Sequence, residues 1–199
     1  MSTKYELTDE TKNINGITLH RIRALRDIPS AGVKSGDLGG WIEKESNLSQ
    51  NGDAWVYGHA QVYGDARVCG DARVCGDARV CGDARVYGNA KVFDDARVCG
   101  YARVCGDAEV YGDAEVYGDA MVCGDADYMT FKNSWSSGRW FTYTRSNKMW
   151  KVGYFYGSGE ELIAKAYKDS ELSGKCYETI VRAVETIEAA KAKAKGEMK

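Results

Sequence analysis

The stretch GDARVCGDARVCGDARVCGDARVYG, from Gly64 to Gly88, contains four nearly identical six-residue units. The unit continues in both directions without a gap, and twelve consecutive hexads cover residues 53–124: DAWVYG, HAQVYG, DARVCG, DARVCG, DARVCG, DARVYG, NAKVFD, DARVCG, YARVCG, DAEVYG, DAEVYG and DAMVCG. Each hexad has Ala at its second position and Val at its fourth. A short fixed period is typical of a solenoid, in which each repeat packs only against its neighbours.

The alternation within the hexad predicts which side chains form the core. Residues two apart share one face of a strand, so Ala and Val point inward while positions 3 and 5 point outward. The Gly–Asp step predicts a corner, because Gly adopts positive φ at little cost. Asp94 is the one departure from Gly at that position. An antiparallel meander with Gly–Asp turns is the competing topology, but it would leave a long Ala/Val face uncovered.

The period resembles the hexapeptide-repeat rule of left-handed parallel β-helices, in which three hexads make one triangular coil. The resemblance implies a mainly β fold: a left-handed parallel β-helix of about four to five coils with a cap at each end. Coils of this kind place every third hexad in register. The outward positions then form columns, which provide two sets of candidate binding residues.

The first set is the aromatic part of position 5, a candidate for self-association into a trimer or dimer: Tyr57, Tyr63, Tyr87, Phe93, Tyr111 and Tyr117. The second set comprises five of the basic residues at position 3, which are candidates for binding anions: Arg67, Arg85, Arg103, Arg79 and Arg97. Residues 53–124 carry seven Lys and Arg against twelve Asp and Glu, so corner aspartates offset the arginines. The sequence therefore does not favour nucleic acid as a partner.

Six of the seven cysteines occupy position 5, where other hexads have Tyr or Phe. This regularity, the odd count and the lack of a CxxC pair predict packing rather than a disulfide framework. A metal site at Cys81/Cys99 or Cys105/Cys123 is disfavoured, because neither pair has four converging ligands. We expect neither a metal nor a cofactor.

The N-terminal part is predicted to be a β cap over residues 1–34, with a hairpin turn at Asn15–Gly16. A degenerate first coil follows over residues 35–52, within a repeat region of 35–126. Extending the hexad frame backwards places Ile42 and Leu48 at the inward Ala position and Leu38 at the Val position. Trp41 is then expected to cover the end of the core.

Residues 127–199 are predicted to form a ββαα domain. Its strands are 139–145 and 149–156, a capping box at Ser158–Glu161 opens the first helix, and the second helix runs from about residue 175 to 195. The apolar stripe of this second helix is Tyr177, Ile180, Val181, Val184 and Ile187. The domain mixes aromatic and basic residues, which form either a small core with charged edges or a partner-binding surface: Trp135, Arg139, Trp140, Tyr143, Arg145, Lys148, Trp150 and Lys151.

The junction GDLGGWIEKESNLSQNGDAWVYG, the GDARV array and the tail GYFYGSGEEL resemble uncharacterised hexapeptide-repeat proteins of bacteria and their phages. Such proteins carry labels such as acetyltransferase or polymer-forming protein. The resemblance implies a protein of a phage or mobile element. The first residues, MSTKYELTDETKN, lack the apolar segment of a signal peptide, so we expect the protein in the cytoplasm of a bacterial host. No apolar segment long enough to span a membrane occurs in the sequence, so no membrane partner is expected.

Catalysis is disfavoured by the scarcity of histidine. Left-handed β-helix acyltransferases typically use a His in a cleft between subunits, and only His20 and His59 are present here. His59 replaces a corner aspartate, and the hexads carry no inserted loop that could shape a CoA site. We therefore expect a non-catalytic scaffold or protein-interaction module, with an inhibitor of a bacterial defence protein as a special case. A CoA-dependent acyltransferase and an anion or nucleic-acid binder are the alternatives.

Overall fold

The computed structural model describes residues 3–197, without the side chains of residues 125 and 195–197. The strands are β1 (Tyr5–Ile14), β2 (Ile17–Ala24), β3 (Leu38–Ile42), β4 (Trp55–Val56), β5 (Gln61–Val62), β6 (Arg67–Val68), β7 (Arg73–Val74), β8 (Arg79–Val80), β9 (Arg85–Val86), β10 (Lys91–Val92), β11 (Arg97–Val98), β12 (Arg103–Val104), β13 (Glu109–Val110), β14 (Glu115–Val116), β15 (Met121–Val122), β16 (Tyr128–Lys132), β17 (Trp140–Thr144), β18 (Met149–Val152) and β19 (Phe155–Gly157). The helices are α1 (Gly159–Asp169) and α2 (Glu171–Glu197).

The twelve hexads form four turns of a parallel β-solenoid, and the irregular first coil extends it to about five turns. Each short strand pairs in parallel with the strand three hexads away, so that Val74 pairs with Val56 on one side and Val92 on the other. The three faces are face 1 (β4, β7, β10, β13), face 2 (β5, β8, β11, β14) and face 3 (β6, β9, β12, β15). All Ala and Val of the hexads are fully buried, as the alternation predicts, and the antiparallel meander is excluded.

The corners need glycine for two reasons. Gly82 has φ 67°, a conformation that glycine adopts at little cost. A Cβ at Gly82 would also lie only 3.0 Å from the backbone nitrogen of Gly100 in the next coil. Asp94 keeps the positive φ, at 59°, and its Oδ2 accepts a hydrogen bond of 3.2 Å from the backbone nitrogen of Gly112.

A β-hairpin closes the N-terminal end of the solenoid. Strands β1 and β2 meet at Asn15–Gly16, where both residues have positive φ, as the turn prediction requires. β2 pairs with β3, which joins face 2 by pairing in parallel with β5. Apolar side chains from this cap continue the core: Tyr5, Ile22, Ala24, Ile28 and Val33.

The hexad frame predicted for the first coil is wrong by two residues. Ile42 pairs with Val62 and Leu48 with Val68, so both occupy Val positions. Leu38 is 44% exposed rather than inward. The backbone nitrogens of Ser49 and Asp53 donate to the carbonyl oxygens of Val68 and Gly70. The donors are four positions apart and the acceptors only two, so the first coil contains two extra residues, Gln50 and Asn51. The amide of Gln50 explains the insertion, because it hydrogen-bonds the backbone of Tyr5 and so ties the cap to the coil.

Trp41 does not cover the end of the core, contrary to the prediction. It pairs with Gln61 at an outward position, where Lys12 and Arg21 lie 4.4 and 5.7 Å from its ring centroid. The end of the core is instead closed beside Lys4, a fully buried residue whose Nζ donates a hydrogen bond of 2.8 Å to the carbonyl oxygen of Ala54. Burial lowers the pKa of Lys4 from 10.5 to about 8.

The C-terminal part contains four strands rather than two. β16 to β19 form an antiparallel sheet in chain order, and the sequence reading missed β16 and the break at Gly153–Tyr154. The capping box is confirmed, since Ser158 and Glu161 exchange hydrogen bonds at the start of α1. α2 begins at Glu171, earlier than predicted, and its buried stripe ends at Val184, because Ile187 is 42% exposed.

The cysteines correct another sequence prediction. Stacking at position 5 brings the Cα atoms of Cys81 and Cys99 to 4.7 Å and those of Cys105 and Cys123 to 4.5 Å, and both pairs form disulfides. Cys69, Cys75 and Cys176 are free thiols. In-register parallel strands place equivalent positions of successive coils within disulfide reach. The stacked columns at position 5 therefore contain both disulfide-bonded and free cysteines.

Alkylation of the protein purified without reductant checks this pairing. We expect iodoacetamide to modify three cysteines in the denatured, unreduced chain and all seven after reduction. Mass spectrometry counts the modifications. In the control Cys81→Ser, Cys99 loses its partner and becomes a fourth modified residue before reduction. Modification of all seven in the unreduced wild-type chain would contradict the pairing.

Candidate interaction site at the junction of solenoid and C-terminal sheet

The C-terminal sheet lies against the last coil of the solenoid and terminates its hydrogen-bond ladder. The Oγ1 atom of Thr142 on β17 accepts a hydrogen bond of 2.9 Å from the backbone nitrogen of Glu115 on β14. Ser146 Oγ accepts one of 2.7 Å from the backbone nitrogen of Met121 on β15. Side-chain oxygens thus replace the carbonyls that a further coil would supply, which fixes the C-terminal part against the end of faces 2 and 3.

Two of the eight predicted partner-binding residues belong to the core of the C-terminal domain. Trp150 and Tyr143 are 2% and 5% exposed, and their rings pack at 5.0 Å centroid distance. They contribute to a cluster with Phe141, Leu162 and Val181. In this structure their side chains are not available to a partner. These two residues therefore fit the alternative prediction, a small core with charged edges.

Three more of the eight have positions unrelated to a shared surface. Trp135 packs edge-on against Tyr177 and is half-buried. Arg145 donates from Nε to both carboxylate oxygens of Glu188 at 2.9 and 2.8 Å, which fastens α2 to the sheet and raises the pKa of the guanidinium. Lys148 is exposed in the β17–β18 turn with φ 56°.

The remaining three, Arg139, Trp140 and Lys151, line a cleft together with Arg97 and Tyr117 of face 2. The cleft consists of two adjoining cavities of about 310 and 400 Å³ that share Arg97, Glu115, Arg139 and Gly153. We call it the junction cleft. Its full lining is Asp95, Arg97, Cys99, Asp113, Glu115, Tyr117, Gly138, Arg139, Trp140, Lys151, Gly153 and Tyr154. Residues from three separate sequence predictions therefore converge here.

Glu115 organises the charges in the junction cleft. Its carboxylate lies 3.4 Å from Arg97 Nη1 and 3.3 Å from Lys151 Nζ. Lys151 also lies 5.1 Å from the ring centroid of Tyr117 and donates to the carbonyl oxygen of Gly153. Arg139 forms no ion pair with any side chain that the structure describes. Three basic and three acidic residues line the cleft, so it has no strong net charge.

Exposed aromatic rings surround the junction cleft. Tyr117 and Trp140 are each 39% exposed, and Tyr154 is completely exposed at the turn between β18 and β19. Gly153, with φ 53°, forms this turn. Sequence reasoning missed Tyr154, because the stretch VGYFYG was read as one continuous strand. The Val–Gly–Tyr step inside an alternating pattern was the available signal.

The predicted self-association residues differ in exposure. Tyr111 and Tyr117 are exposed, whereas Tyr57, Tyr63, Tyr87 and Phe93 are half-buried. Tyr57 also donates a hydrogen bond of 2.8 Å to Ala31 in the N-terminal cap, and Phe93 stacks on Tyr111 at 5.4 Å. Several of these aromatic residues thus contact the chain itself. Self-association stays a prediction.

The predicted basic columns are in register. Arg79 and Arg97 stack on face 2, and Arg67, Arg85 and Arg103 stack on face 3. Glu115 pairs with Arg97 at the end of the first column. The second column ends at Met121, and none of its three arginines forms an ion pair with a residue that the structure describes.

The two histidines lie in different parts of the fold. His20 is on β2, with Nδ1 3.3 Å from the carbonyl oxygen of Thr8, and His59 is exposed at a corner. Neither lines the junction cleft. The described residues contain no group of three or more His, Cys, Asp or Glu side chains that could hold a metal ion. Of the helices that the structure describes, none has the length and apolarity needed to cross a membrane.

A comparison with protein families supports the solenoid assignment. The model of a family described as YdcK beta solenoid repeat matches residues 60–76, 66–84 and 78–92, three overlapping segments of the hexad array. No curated protein matches the sequence. The matches cover the repeat and none of the residues of the C-terminal domain. Over residues 60–92, the chain is therefore similar to a known β-solenoid repeat.

Proposed function

We propose that the chain is a non-catalytic protein-interaction module that binds a partner protein at the junction cleft. The observation that carries this proposal is the group of exposed aromatic rings, Tyr117, Trp140 and Tyr154, around Arg139. Tyr, Trp and Arg are the residue types that dominate binding energy at protein interfaces. Exposed aromatic rings clustered around one concavity are more typical of an interaction site than of ordinary surface.

The scaffold supports this proposal because it fixes the positions of two of the three aromatic residues, Tyr117 and Trp140. Tyr117 directly follows β14 in the last coil, and Trp140 begins β17, which is hydrogen-bonded to that coil. The Tyr117 ring also packs against Tyr156 at 5.3 Å. Rings that are already ordered lose little conformational entropy on binding, which favours affinity.

The charge balance indicates what kind of partner fits. Arg97, Arg139 and Lys151 are matched by Asp95, Asp113 and Glu115, so a partner surface with both signs of charge and an apolar centre is complementary. The stretches GDLGGWIEKESNLSQNGDAWVYG and GYFYGSGEEL resemble sequences of bacterial and phage proteins, which supports a bacterial partner. As the specific case, we propose a host defence protein that the module inhibits.

Truncation of the exposed rings tests the proposal. With a partner captured on the wild-type chain, Trp140→Ala and Tyr154→Ala are each expected to weaken its affinity by about tenfold or more, the usual effect of losing an aromatic anchor. Tyr87→Ala on face 3 is the matched control and should leave the affinity unchanged. Biolayer interferometry measures the dissociation constants. Equal affinities for all four proteins would contradict docking at this cleft.

Anion binding is a second candidate function, favoured by the stack of Arg67, Arg85 and Arg103 on face 3. Like charges in register repel each other, and no described residue pairs with them. A polyanion bound there should dissociate with rising salt, because each neutralised charge releases a counterion. Retention on heparin that persists in Arg85→Gln would exclude this column as the binding site.

A further inference from the structure

A separate cavity of about 340 Å³ lies between the C-terminal sheet and the two helices, and we call it the helix–sheet cavity. Its lining is Asn133, Ser136, Ser137, Arg139, Val152, Phe155, Leu162, Lys165, Ala166, Asp169, Ser170, Ser173 and Tyr177. The volume is within the range of small-molecule sites. An apolar surface of Val152, Phe155, Leu162 and Ala166 faces a set of hydroxyl groups.

Two buried hydroxyl groups in this cavity have hydrogen-bonding capacity to spare. Ser173 is 7% exposed and lines the cavity. Its backbone nitrogen is used, since it donates to Ser170 Oγ at 3.1 Å. The Tyr177 hydroxyl, also 7% exposed, accepts a hydrogen bond of 3.0 Å from Asn133 Nδ2 and retains its own proton to donate. Both residues line the cavity, so their hydroxyl groups can hydrogen-bond a ligand there.

Three charged side chains line the same cavity at exposed positions. Arg139 lies at the sheet side, and Lys165 and Asp169 lie on α1. None of the three forms an ion pair with a described side chain. The first turn of α2, which contains Ser173, adds the partial positive charge of a helix N-terminus, and the last turn of α1, which contains Asp169, adds the partial negative charge of a helix C-terminus. With two cations and one carboxylate, the cavity carries a net charge of +1.

We propose that the helix–sheet cavity binds a small organic monocarboxylate with an aliphatic body. One negative charge on the ligand neutralises the cavity, and the hydroxyl groups of Ser173 and Tyr177 can donate to carboxylate oxygens. The apolar surface gives the hydrocarbon part a place out of water. Inorganic phosphate would leave that surface uncovered, and a cationic ligand would add to the positive charge.

This site is distinct from the junction cleft, although Arg139 lines both. The test therefore uses Lys165, which lines the helix–sheet cavity and not the junction cleft. A failure of protein docking at the junction cleft would leave the carboxylate proposal standing, and the reverse also holds.

An NMR titration of the ¹⁵N-labelled protein with isocaproate tests the proposal. We expect saturable shifts of the Ser173 and Lys165 amides, with a dissociation constant of about 1 mM or tighter for so small a ligand. Isoamylamine, which has a similar aliphatic body but a positive charge, should cause no saturable shift. Lys165→Glu reverses one cavity charge and should weaken isocaproate binding by about tenfold or more.

Lys168→Glu is the matched control, because Lys168 is exposed on the same helix outside the cavity. It makes the same charge change and should leave the dissociation constant unchanged. The amide spectra show whether each variant is folded. Equal weakening in both variants, equal binding of the amine, or no saturable shift with isocaproate would overturn the proposal.

Discussion

Replacing Val104 with aspartate is expected to lower the free energy of unfolding by about 5 kcal/mol or more, which unfolds a domain of ordinary stability. Val104 is fully buried on β12 and pairs in register with Val86 and Val122. An ionised carboxylate at this position would face only Ala and Val side chains. Because each coil is stabilised mainly by its neighbours, damage in one coil weakens the coils on both sides.

Arg103→Asp provides the control for this prediction. It introduces the same residue one position earlier, at an exposed site in a column of arginines. The change removes like-charge repulsion, so we expect the free energy of unfolding to stay within about 0.5 kcal/mol. Urea unfolding followed by circular dichroism measures both variants. Similar stability of the two would contradict the assignment of inward and outward positions.

Lys4 is expected to make the free energy of unfolding increase with pH, and this is the second prediction with a large effect. Burial lowers the pKa of Lys4 from 10.5 to about 8, so between these values the unfolded chain holds a proton that the folded chain has lost. The free energy of unfolding therefore rises with pH in this window. Relative to pH below 8, deprotonation of Lys4 raises the free energy of unfolding by about 3 kcal/mol once pH exceeds 10.5.

Lys4→Met isolates the contribution of this residue. The variant cannot titrate at position 4, so the increase due to Lys4 disappears while other groups titrate as before. The comparison is needed because burial raises the pKa values of Cys75 and Tyr5, and both shifts lower stability as pH rises. Urea midpoints at pH 7, 8, 9 and 10 for both proteins measure the difference. Parallel pH profiles would contradict a buried, charged Lys4.

The regular hexads made the fold predictable from sequence. Invariant Ala and Val determine the inward face, and the corner glycines from Gly58 to Gly118 have the positive φ that glycine favours, with Asp94 as the one other residue. The first coil was predicted incorrectly, because Gln50 and Asn51 shift the frame and only tertiary contacts show it. Gln50 is in that insertion because its side chain hydrogen-bonds the backbone of Lys4 and Tyr5. No periodic signal encodes such a contact.

The candidate site was only partly predictable. An aromatic and basic composition cannot separate Trp150, which is buried, from Trp140, which is exposed, because both alternate along strands. Their separation depends on which side of the sheet α1 and α2 cover. The junction cleft itself arises where Thr142 joins β17 to β14, a contact between residues 27 positions apart. The disulfides were missed for a similar reason, since their partners become neighbours only after coiling.

Photo-crosslinking from the junction cleft tests the proposed function most directly. Benzoylphenylalanine replaces Tyr154 in one protein and Tyr87 on face 3 in another, and both are irradiated in lysate of a bacterial host. We predict that the Tyr154 position forms a covalent adduct with a single partner protein, that the Tyr87 position does not, and that Trp140→Ala abolishes the adduct. The same adduct from both positions, or a Tyr154 adduct that persists with Trp140→Ala, would contradict docking at the junction cleft.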